Sequence, residues 1–272
     1  MSKISHVLDV QQNSLQRGFT KNVSPTNAAL LLTEAINEAR DQGNLLFAAF
    51  IDASKAFDVV WHNSLLCKLY ESGITGCSWQ LVHQWYQNLE SKVKWENQLS
   101  CSFREEQGVR QGGILSPLLY KAFINPLLDW FKEKNVGLKI GSIHIGSPAC
   151  ADDIVLLAEN AYDLQVMLNM QEYYANMERY FISESKSKIM IFNSKRNHIN
   201  INELYLNDKK LDEVSEYTHI GLYRSHKDQQ LVNERIKVAR RTSYALMGAG
   251  LHGYNGVNPN IGIQVWNTKY AK

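Results

Sequence analysis

Residues 147–158 read SPACADDIVLLA, in which two adjacent carboxylates, Asp152 and Asp153, stand between short apolar runs. Aspartate is disfavoured inside a strand, whereas apolar runs of this length are typical of buried strands. The stretch therefore predicts a tight hairpin with the two acids at its tip. Like charges held together are costly unless they are neutralised, and magnesium is suited to carboxylate oxygens. An ordinary Asp-Asp turn is the alternative, and the rest of the chain has to decide between them.

A second apolar run, LLFAAFI at residues 45–51, ends at Asp52. Because the run is apolar throughout, it predicts a strand that is buried on both faces. The sheet would hold an acid at the end of such a strand in a fixed position, which suits a metal-binding group. A simple strand-end cap explains Asp52 equally well when that residue is taken alone.

A glycine-containing loop lies between these acids in the sequence, at residues 107–117, and reads QGVRQGGILSP. Its glycines allow backbone to approach a ligand closely, and Ser116 is expected to cap the helix that follows. Acids at two strand ends, this loop, and alternating strands and helices together predict a two-metal phosphoryl-transfer site. In it, Asp52 and Asp152 would hold two cations about 4 Å apart.

The composition of the 272 residues, 44% hydrophobic and 21% charged, is that of a soluble globular protein with a sizeable core. No apolar run is long enough to cross a bilayer, and the polar first twelve residues lack a signal-peptide core. Four scattered cysteines without a C-x-x-C pair argue against a zinc site and favour reduced intracellular thiols. The net charge of +2 is too small to predict nucleic-acid binding by itself. We expect an intracellular protein that does not bind a membrane.

Apolar stripes predict helices over residues 62–73, 78–89, 117–131 and 161–181. Their apolar residues, including Trp85 and Met177, are expected to face the core. Alternation over residues 92–107 predicts a hairpin.

Three motifs resemble the reverse-transcriptase domain of non-LTR (LINE-type) retrotransposons: FIDASKAFD at residues 50–58, QGGILSP at 111–117 and ADD at 151–153. Three further matches keep the family's order: QRGF at 16–19, KSK at 186–188 and YTHIG at 217–221. The likeness extends from about residue 11 to about residue 247. Each motif alone is weak, but all of them in this order are specific.

This resemblance implies an α+β fold, the right-hand polymerase palm, in which an antiparallel sheet is backed by helices. It implies partial fingers over residues 1–44, a catalytic palm with finger–palm helices over 45–222, and a partial thumb over 223–272. The implied activity is RNA-directed DNA polymerisation, with an RNA template, a DNA primer or target, dNTPs and two Mg²⁺ ions, for which Mn²⁺ can substitute. The family suggests the nucleus as the location, and the sequence names no protein partner.

The resemblance also implies residue roles around the reaction. Asp52 and Asp152 would be the metal ligands, with Asp153 as a supporting or third ligand. Phe57 matches the bulky steric gate that disfavours a ribose 2′-hydroxyl, and this favours deoxynucleotides. The loop against the incoming nucleotide would use Gln111 and Gly112.

Further matches concern the leaving group and the nucleic acid. Either Lys186 or Lys188 would assist the triphosphate leaving group, and the sequence leaves this choice open. The turn from Tyr217 to Gly221 is similar to the primer grip. A basic helix over residues 231–247 fits a thumb segment on the duplex backbone, with its charges at Arg235, Lys237, Arg240 and Arg241.

Two departures support a different hypothesis. Cys150 occupies the position before Ala-Asp-Asp where the family usually has an aromatic residue, and the family's upstream finger strands and full thumb have no counterpart in these residues. The alternative is a catalytically inactive, truncated remnant that keeps the palm fold, with or without nucleic-acid binding. A third hypothesis, an RNA polymerase palm, is disfavoured by Phe57.

Overall fold

The computed structural model describes residues 2–193 and 203–225, together with Ile236, Lys237, Arg240, Arg241 and Tyr244. The chain divides into two compact units, Met1–Ser215 and Glu216–Lys272. The described helices of the first unit are α1 (Ser2–Gln11), α2 (Pro25–Gln42), α3 (His62–Glu71), α4 (Gly76–Tyr86), α5 (Ser116–Glu133) and α6 (Ala161–Glu178).

The strands of the first unit combine a few long strands with several two-residue strands. They are β1 (Leu46–Ile51), β2 (Glu90–Ser91), β3 (Lys94–Trp95), β4 (Gln98–Leu99), β5 (Phe103–Arg104), β6 (Lys139–Ile140), β7 (Ile143–His144), β8 (Ala149–Cys150), β9 (Asp153–Ala158), β10 (Lys188–Phe192), β11 (Tyr205–Leu206), β12 (Lys209–Lys210) and β13 (Asp212–Glu213). In the second unit, β14 (Glu216–His219) and β15 (Leu222–Ser225) form an antiparallel hairpin. The predicted turn at its tip is confirmed.

The main sheet has the strand order β13-β10-β1-β9-β8, and its pairs are antiparallel except for β10 with β13. Strand β1 is central and every one of its residues is buried, as the unbroken apolar run predicts. Phe47, Ala49 and Ile51 belong to the large core cluster, which also includes residues of α3, α5 and α6. Side chains alternate along a strand, so Leu46 and Phe50 face the other side of the sheet, and α2 packs against β1. The expected α+β class is confirmed.

Helix α5 begins one residue earlier than predicted, and Ser116 is not its cap. Leu115 occupies the cap position, whereas Ser116 is buried in the first turn and its Oγ donates to the Arg110 carbonyl oxygen at 2.5 Å. The Ser116 hydroxyl therefore ties the preceding loop to the helix. Pro126 lies inside α5, which continues to Glu133.

Helix α4 exposes much of the stripe that was expected in the core. Val82 is its buried residue, whereas Leu81 and Trp85 are about half exposed. Helix α4 packs on α3 at the margin of the unit, so its far side has little to cover it. Met177 of α6 is likewise exposed, and the expectation that these apolar residues all face the core was wrong.

The predicted hairpin over 92–107 is confirmed, with β3 paired to β4 and β2 paired to β5. No helix in the described ranges has both the length and the apolar character that a bilayer crossing requires.

The packing of β9 gives a direct test of the core. Leu156 lies fully buried in the central sheet, so Leu156→Ala should lower the free energy of unfolding by about 2–5 kcal/mol, measured by urea denaturation. The matched control is Leu99→Ala on exposed β4, which should change it by no more than about 0.5 kcal/mol. Equal losses in the two variants would contradict this assignment of the core.

Candidate active site

The acid pair lies at the tip of the β8–β9 hairpin, as the opening stretch predicts. Cys150 pairs with Asp153, so Ala151 and Asp152 form the turn and Asp153 is the first residue of β9. Ala151 has the left-handed φ of 59°, which is uncommon for a residue with a Cβ. The hairpin is therefore tight, and its backbone conformation decides where the Asp152 side chain is directed.

Strand pairing brings the distant acid to the same place. Ile51, the last residue of β1, is paired with Ile154 of β9 in an antiparallel register. One further step along this register sets Asp52 opposite Asp153. The carboxylates are thus neighbours at the ends of two paired strands, although they are far apart in the sequence.

The electrostatics of the tip reflect this crowding. Partial burial, followed by the charges of Asp152 and Asp52, raises the pKa of the Asp153 carboxyl. Burial raises the pKa of the Cys150 thiol, and the charges of Asp153 and Asp152 raise it further. Both shifts have the sign expected where negative charge is concentrated.

The two candidate lysines are in different environments. The Lys186 Nζ lies 3.7 Å from the Asp52 Oδ2, and its own side chain is largely exposed. The loop before β10 is fixed on Asp52: the Ser183 amide donates to the Asp52 carbonyl oxygen at 2.9 Å, and the Ser187 Oγ accepts from the Asp52 amide at 3.1 Å. Lys188 lies within β10 and pairs with the Asp212 Oδ2 at 2.6 Å. Lys186 is therefore the lysine that is next to the acids.

Phe57 is held between two other aromatic rings. Its ring stacks on Tyr120 of α5 with centroids 4.9 Å apart and an interplanar angle of 13°, and Phe19 meets it edge-on at 5.9 Å. Tyr120 is buried, and burial, Tyr180 and the charges of Asp152 and Asp153 raise the pKa of its hydroxyl. Tyr120 thus contacts the candidate gate and is close enough to the acids to be affected by their charge. Sequence reasoning missed Tyr120, although its place on the buried face of α5, three residues before buried Phe123, is a signal for it.

The loop that carries Gln111 and Gly112 contacts the segment that comes after Asp52 in the sequence. The Val109 amide donates to the Phe57 carbonyl oxygen at 2.8 Å, and the Gln111 Nε2 lies 3.5 Å from the Asp58 Oδ1. Gly112 has a φ of 80°, which explains a glycine there. An open groove of about 880 Å³ adjoins this loop, and its lining includes Asp58, Trp85, Tyr86, Gln111, Ile114 and Leu119. Exposed Trp85 thus contributes to a groove rather than to the core.

The second unit contains the remaining candidates. Tyr217 lies in β14 opposite Arg224, and the turn at Ile220 and Gly221 has left-handed φ angles of 49° and 69°. Burial, followed by the charge of Arg224, lowers the pKa of His219 to about 4. Three basic residues are helical and exposed: Lys237, Arg240 and Arg241. Arg235 and most of the predicted helix over 231–247 lie outside the described residues. The primer-grip and backbone-binding roles, like the boundaries of fingers, palm and thumb, stay predictions.

The donor set at the tip fits a hard divalent cation. Asp52, Asp152 and Asp153 offer carboxylate oxygens. Partial burial and, after it, the charges of Asp152 and Asp52 raise the pKa of Asp153, and a cation would offset this penalty on its charged form. In the described part of the chain, no three His, Cys, Asp or Glu side chains are close enough together to form a metal-binding group. The fit therefore rests on ligand chemistry and strand register.

Comparisons with known proteins identify the family that the chain resembles. The family described as "Reverse transcriptase (RNA-dependent DNA polymerase)" matches residues 3–231. The chain is 33% identical over 168 residues to the Pol polyprotein of a type-1 R2 retrotransposable element of Nasonia vitripennis, covering 61% of this chain and 16% of that protein. It is 31% identical over 159 residues to the 149 kDa protein of transposon TX1 of Xenopus laevis, covering 58% and 12%. The aligned regions thus span less than a fifth of these relatives.

Solved structures give the same fold. Apo telomerase of Candida tropicalis, truncated from its C-terminal domain, aligns with a TM-score of 0.55 at 15% identity, covering 82% of this chain and 43% of that chain. Telomerase of Candida albicans in complex with a fragment of telomeric RNA aligns with a TM-score of 0.54 at 11% identity, covering 82% and 38%. The predicted palm fold is confirmed.

The raised pKa of Asp153 predicts how stability depends on pH. The folded protein holds this proton more tightly than the unfolded chain, so the group stabilises the fold below its ordinary pKa of 3.8 and that contribution is lost as the pH rises through the folded pKa. Asp153→Asn should therefore melt at a higher temperature than the wild type at pH 7 without metal, and the difference should vanish near about pH 3. Added Mg²⁺ should stabilise the wild type more than the variant.

Thermal unfolding followed by circular dichroism at several pH values measures this effect. The matched control is Asp41→Asn, an exposed acid near the end of α2, which should show no comparable pH-dependent gain. A wild type that is more stable than Asp153→Asn at neutral pH without metal would contradict the predicted cost of the Asp153 charge, which arises from burial and from the neighbouring acids.

Proposed function

The chain belongs to the reverse transcriptase family, and from this membership we propose that it copies RNA into DNA by transferring deoxynucleotides to a primer 3′-hydroxyl. The observation that carries the proposal is the juxtaposition of Asp52 and Asp153 across β1 and β9, with Asp152 in the adjoining turn. The relatives are proteins of retrotransposable elements, so we propose that the chain is the polymerase part of such an element. A nuclear location and a chromosomal DNA target belong to the same proposal.

Reverse transcriptases in general use divalent metal ions, and two Mg²⁺ ions are proposed here, with Mn²⁺ as a substitute. Asp52 and Asp152 would hold the ions and Asp153 would support them. When bound, the ions supply positive charge that activates the 3′-hydroxyl and neutralises the triphosphate. The chain itself has to fix the acids and align the substrates, since phosphoryl transfer depends on positioning and charge.

The surroundings of the acids support the other roles. Lys186, 3.7 Å from Asp52, is proposed to donate to the triphosphate, since its exposed ammonium can reach a ligand at the acids. Lys188 is already paired with Asp212, which favours a structural role for it. Gln111 lines the groove, and Gln111 and its neighbour Gly112 are proposed to contact the incoming dNTP. Tyr217 and Gly221 would hold the primer, while the exposed charges of Lys237, Arg240 and Arg241, with Arg235, would bind backbone phosphates of the RNA–DNA duplex.

Removing one acid at a time tests the polymerase proposal. Asp52→Asn and Asp152→Asn keep the side-chain volume but remove a metal-binding charge, so primer extension on an RNA template should fall by about 10²–10³-fold, the equivalent of several kcal/mol. The melting temperature without metal should change little, because each substitution keeps the side-chain volume. Asp41→Asn is the matched control and should keep full activity. Undiminished extension by either active-site variant would overturn the assignment.

The aromatic packing around Phe57 predicts substrate choice. Because Tyr120 and Phe19 flank the ring, it cannot easily move away from a ribose 2′-hydroxyl. Phe57→Ala should therefore raise the kcat/KM for CTP relative to that for dCTP by about tenfold or more, the equivalent of at least about 1.4 kcal/mol. The control is Phe103→Ala on exposed β5, which should leave this ratio unchanged. A wild type that prefers ribonucleotides would overturn the gate and favour an RNA polymerase.

Cys150 favours the second candidate function, a palm that binds nucleic acid without polymerising. Its half-buried side chain stands opposite Asp153, where the family resemblance predicts an aromatic ring. Primer extension by the wild type decides between the two functions, with RNA–DNA duplex binding measured in parallel. Binding without extension would support the remnant, and extension would exclude it.

A further inference from the structure

The QRGF segment at residues 16–19 lies directly against the acid hairpin. The Arg17 amide donates to the Ala149 carbonyl oxygen at 2.8 Å, and the Ala149 amide donates to the Leu15 carbonyl oxygen at 3.0 Å. Gln16 thereby forms a parallel bridge with Ala149. The segment lies along the open side of β8 and is joined to it by this single β-bridge.

The Gln16 side chain is directed at the turn itself. It is only 1% exposed, and its Nε2 donates to the Ala151 carbonyl oxygen at 3.1 Å. Its Oε1 accepts from the amides of Ala151 and Gly18, both at 2.8 Å. One buried amide therefore satisfies both polar backbone groups of Ala151. This is the residue with left-handed φ that immediately precedes Asp152.

Two further observations show that the contact is specific. A left-handed conformation costs an alanine about 1–2 kcal/mol, so neighbouring groups have to maintain it. A Cβ at Gly18 would lie 2.1 Å from the Ala151 amide nitrogen, so only glycine permits this approach. Phe19, the next residue, contacts the ring of Phe57.

We propose that Gln16 is a positioning residue: it holds Ala151 in the left-handed conformation and so directs the Asp152 carboxylate toward the metal site. The metal site rests on the proposed function, whereas the contact between Gln16 and Ala151 does not. The backbone on either side of the acids would thus be fixed from two directions, by β9 and by the 16–19 segment.

Gln16→Met keeps the length of the side chain and removes every hydrogen bond. In the metal-free protein, the Ala151 amide should exchange with deuterium at least about tenfold faster, because it loses its acceptor. The Kd for Mn²⁺, followed by electron paramagnetic resonance, should rise about tenfold. The matched control is Gln171→Met, since Gln171 is also fully buried but donates to the Tyr180 hydroxyl rather than bonding to the acid hairpin. This control should lose stability without changing either quantity.

The outcomes separate this proposal from the polymerase proposal. Unchanged exchange at Ala151, or an unchanged Kd for Mn²⁺, would overturn the positioning role whether or not the wild type makes DNA. Both changes in a protein whose wild type fails to extend a primer would support the role of Gln16 and overturn the polymerase. If Gln16→Met does not fold, Gln16→Asn serves instead. Its amide is one methylene shorter and too short to bond both backbone groups of Ala151, so Ala151 exchange and the Kd for Mn²⁺ should rise as in Gln16→Met.

Discussion

The register between β1 and β9 is the constraint on which the candidate site depends. Ile51 pairs with Ile154, and this pairing alone brings Asp52 beside Asp153. A slip of one residue would move every side chain of a strand to the opposite face. Both faces of β1 are apolar and buried, so alternation alone specifies this register weakly. The close fit of Phe47 and Ile51 against the helices, together with pairing to β10 on the other side, supplies the missing specificity.

The same sheet holds negative charge at the price of some stability. Three carboxylates lie at the ends of neighbouring strands. Burial, together with the charges of the other two acids, raises the pKa of Asp153. Lys186 offsets part of that repulsion from an exposed loop, where a solvated ammonium contributes little to folding. The arrangement therefore makes sense as a binding site, since a structural role would be filled more stably by neutral residues. A cation that binds the folded protein but not the unfolded chain would raise the free energy of unfolding and so offset this loss.

Much of the fold and part of the site could be predicted from the sequence. Apolar runs gave β1 and β9, and the position of the acids at their ends followed from the disfavour of aspartate inside strands. The choice between Lys186 and Lys188 could not be made, because it depends on Asp212 of β13, which no local pattern connects to either lysine. Trp85 fits an apolar stripe, but a stripe does not reveal whether another layer covers it. The cap expected at Ser116 failed for a similar reason: its hydroxyl bonds to the loop rather than to the helix amides.

The contact of Gln16 with the turn could not be predicted from the local sequence, and it also explains why the turn carries alanine. A glycine at position 151 would adopt the left-handed conformation without cost, but it would also sample many others. Alanine has fewer accessible conformations, and the external amide of Gln16 selects the costly one among them. The result is a turn whose conformation depends on a segment more than a hundred residues away. Local propensity opposes this conformation and a tertiary contact imposes it, which is the pattern expected where an acid must be held for function rather than for stability.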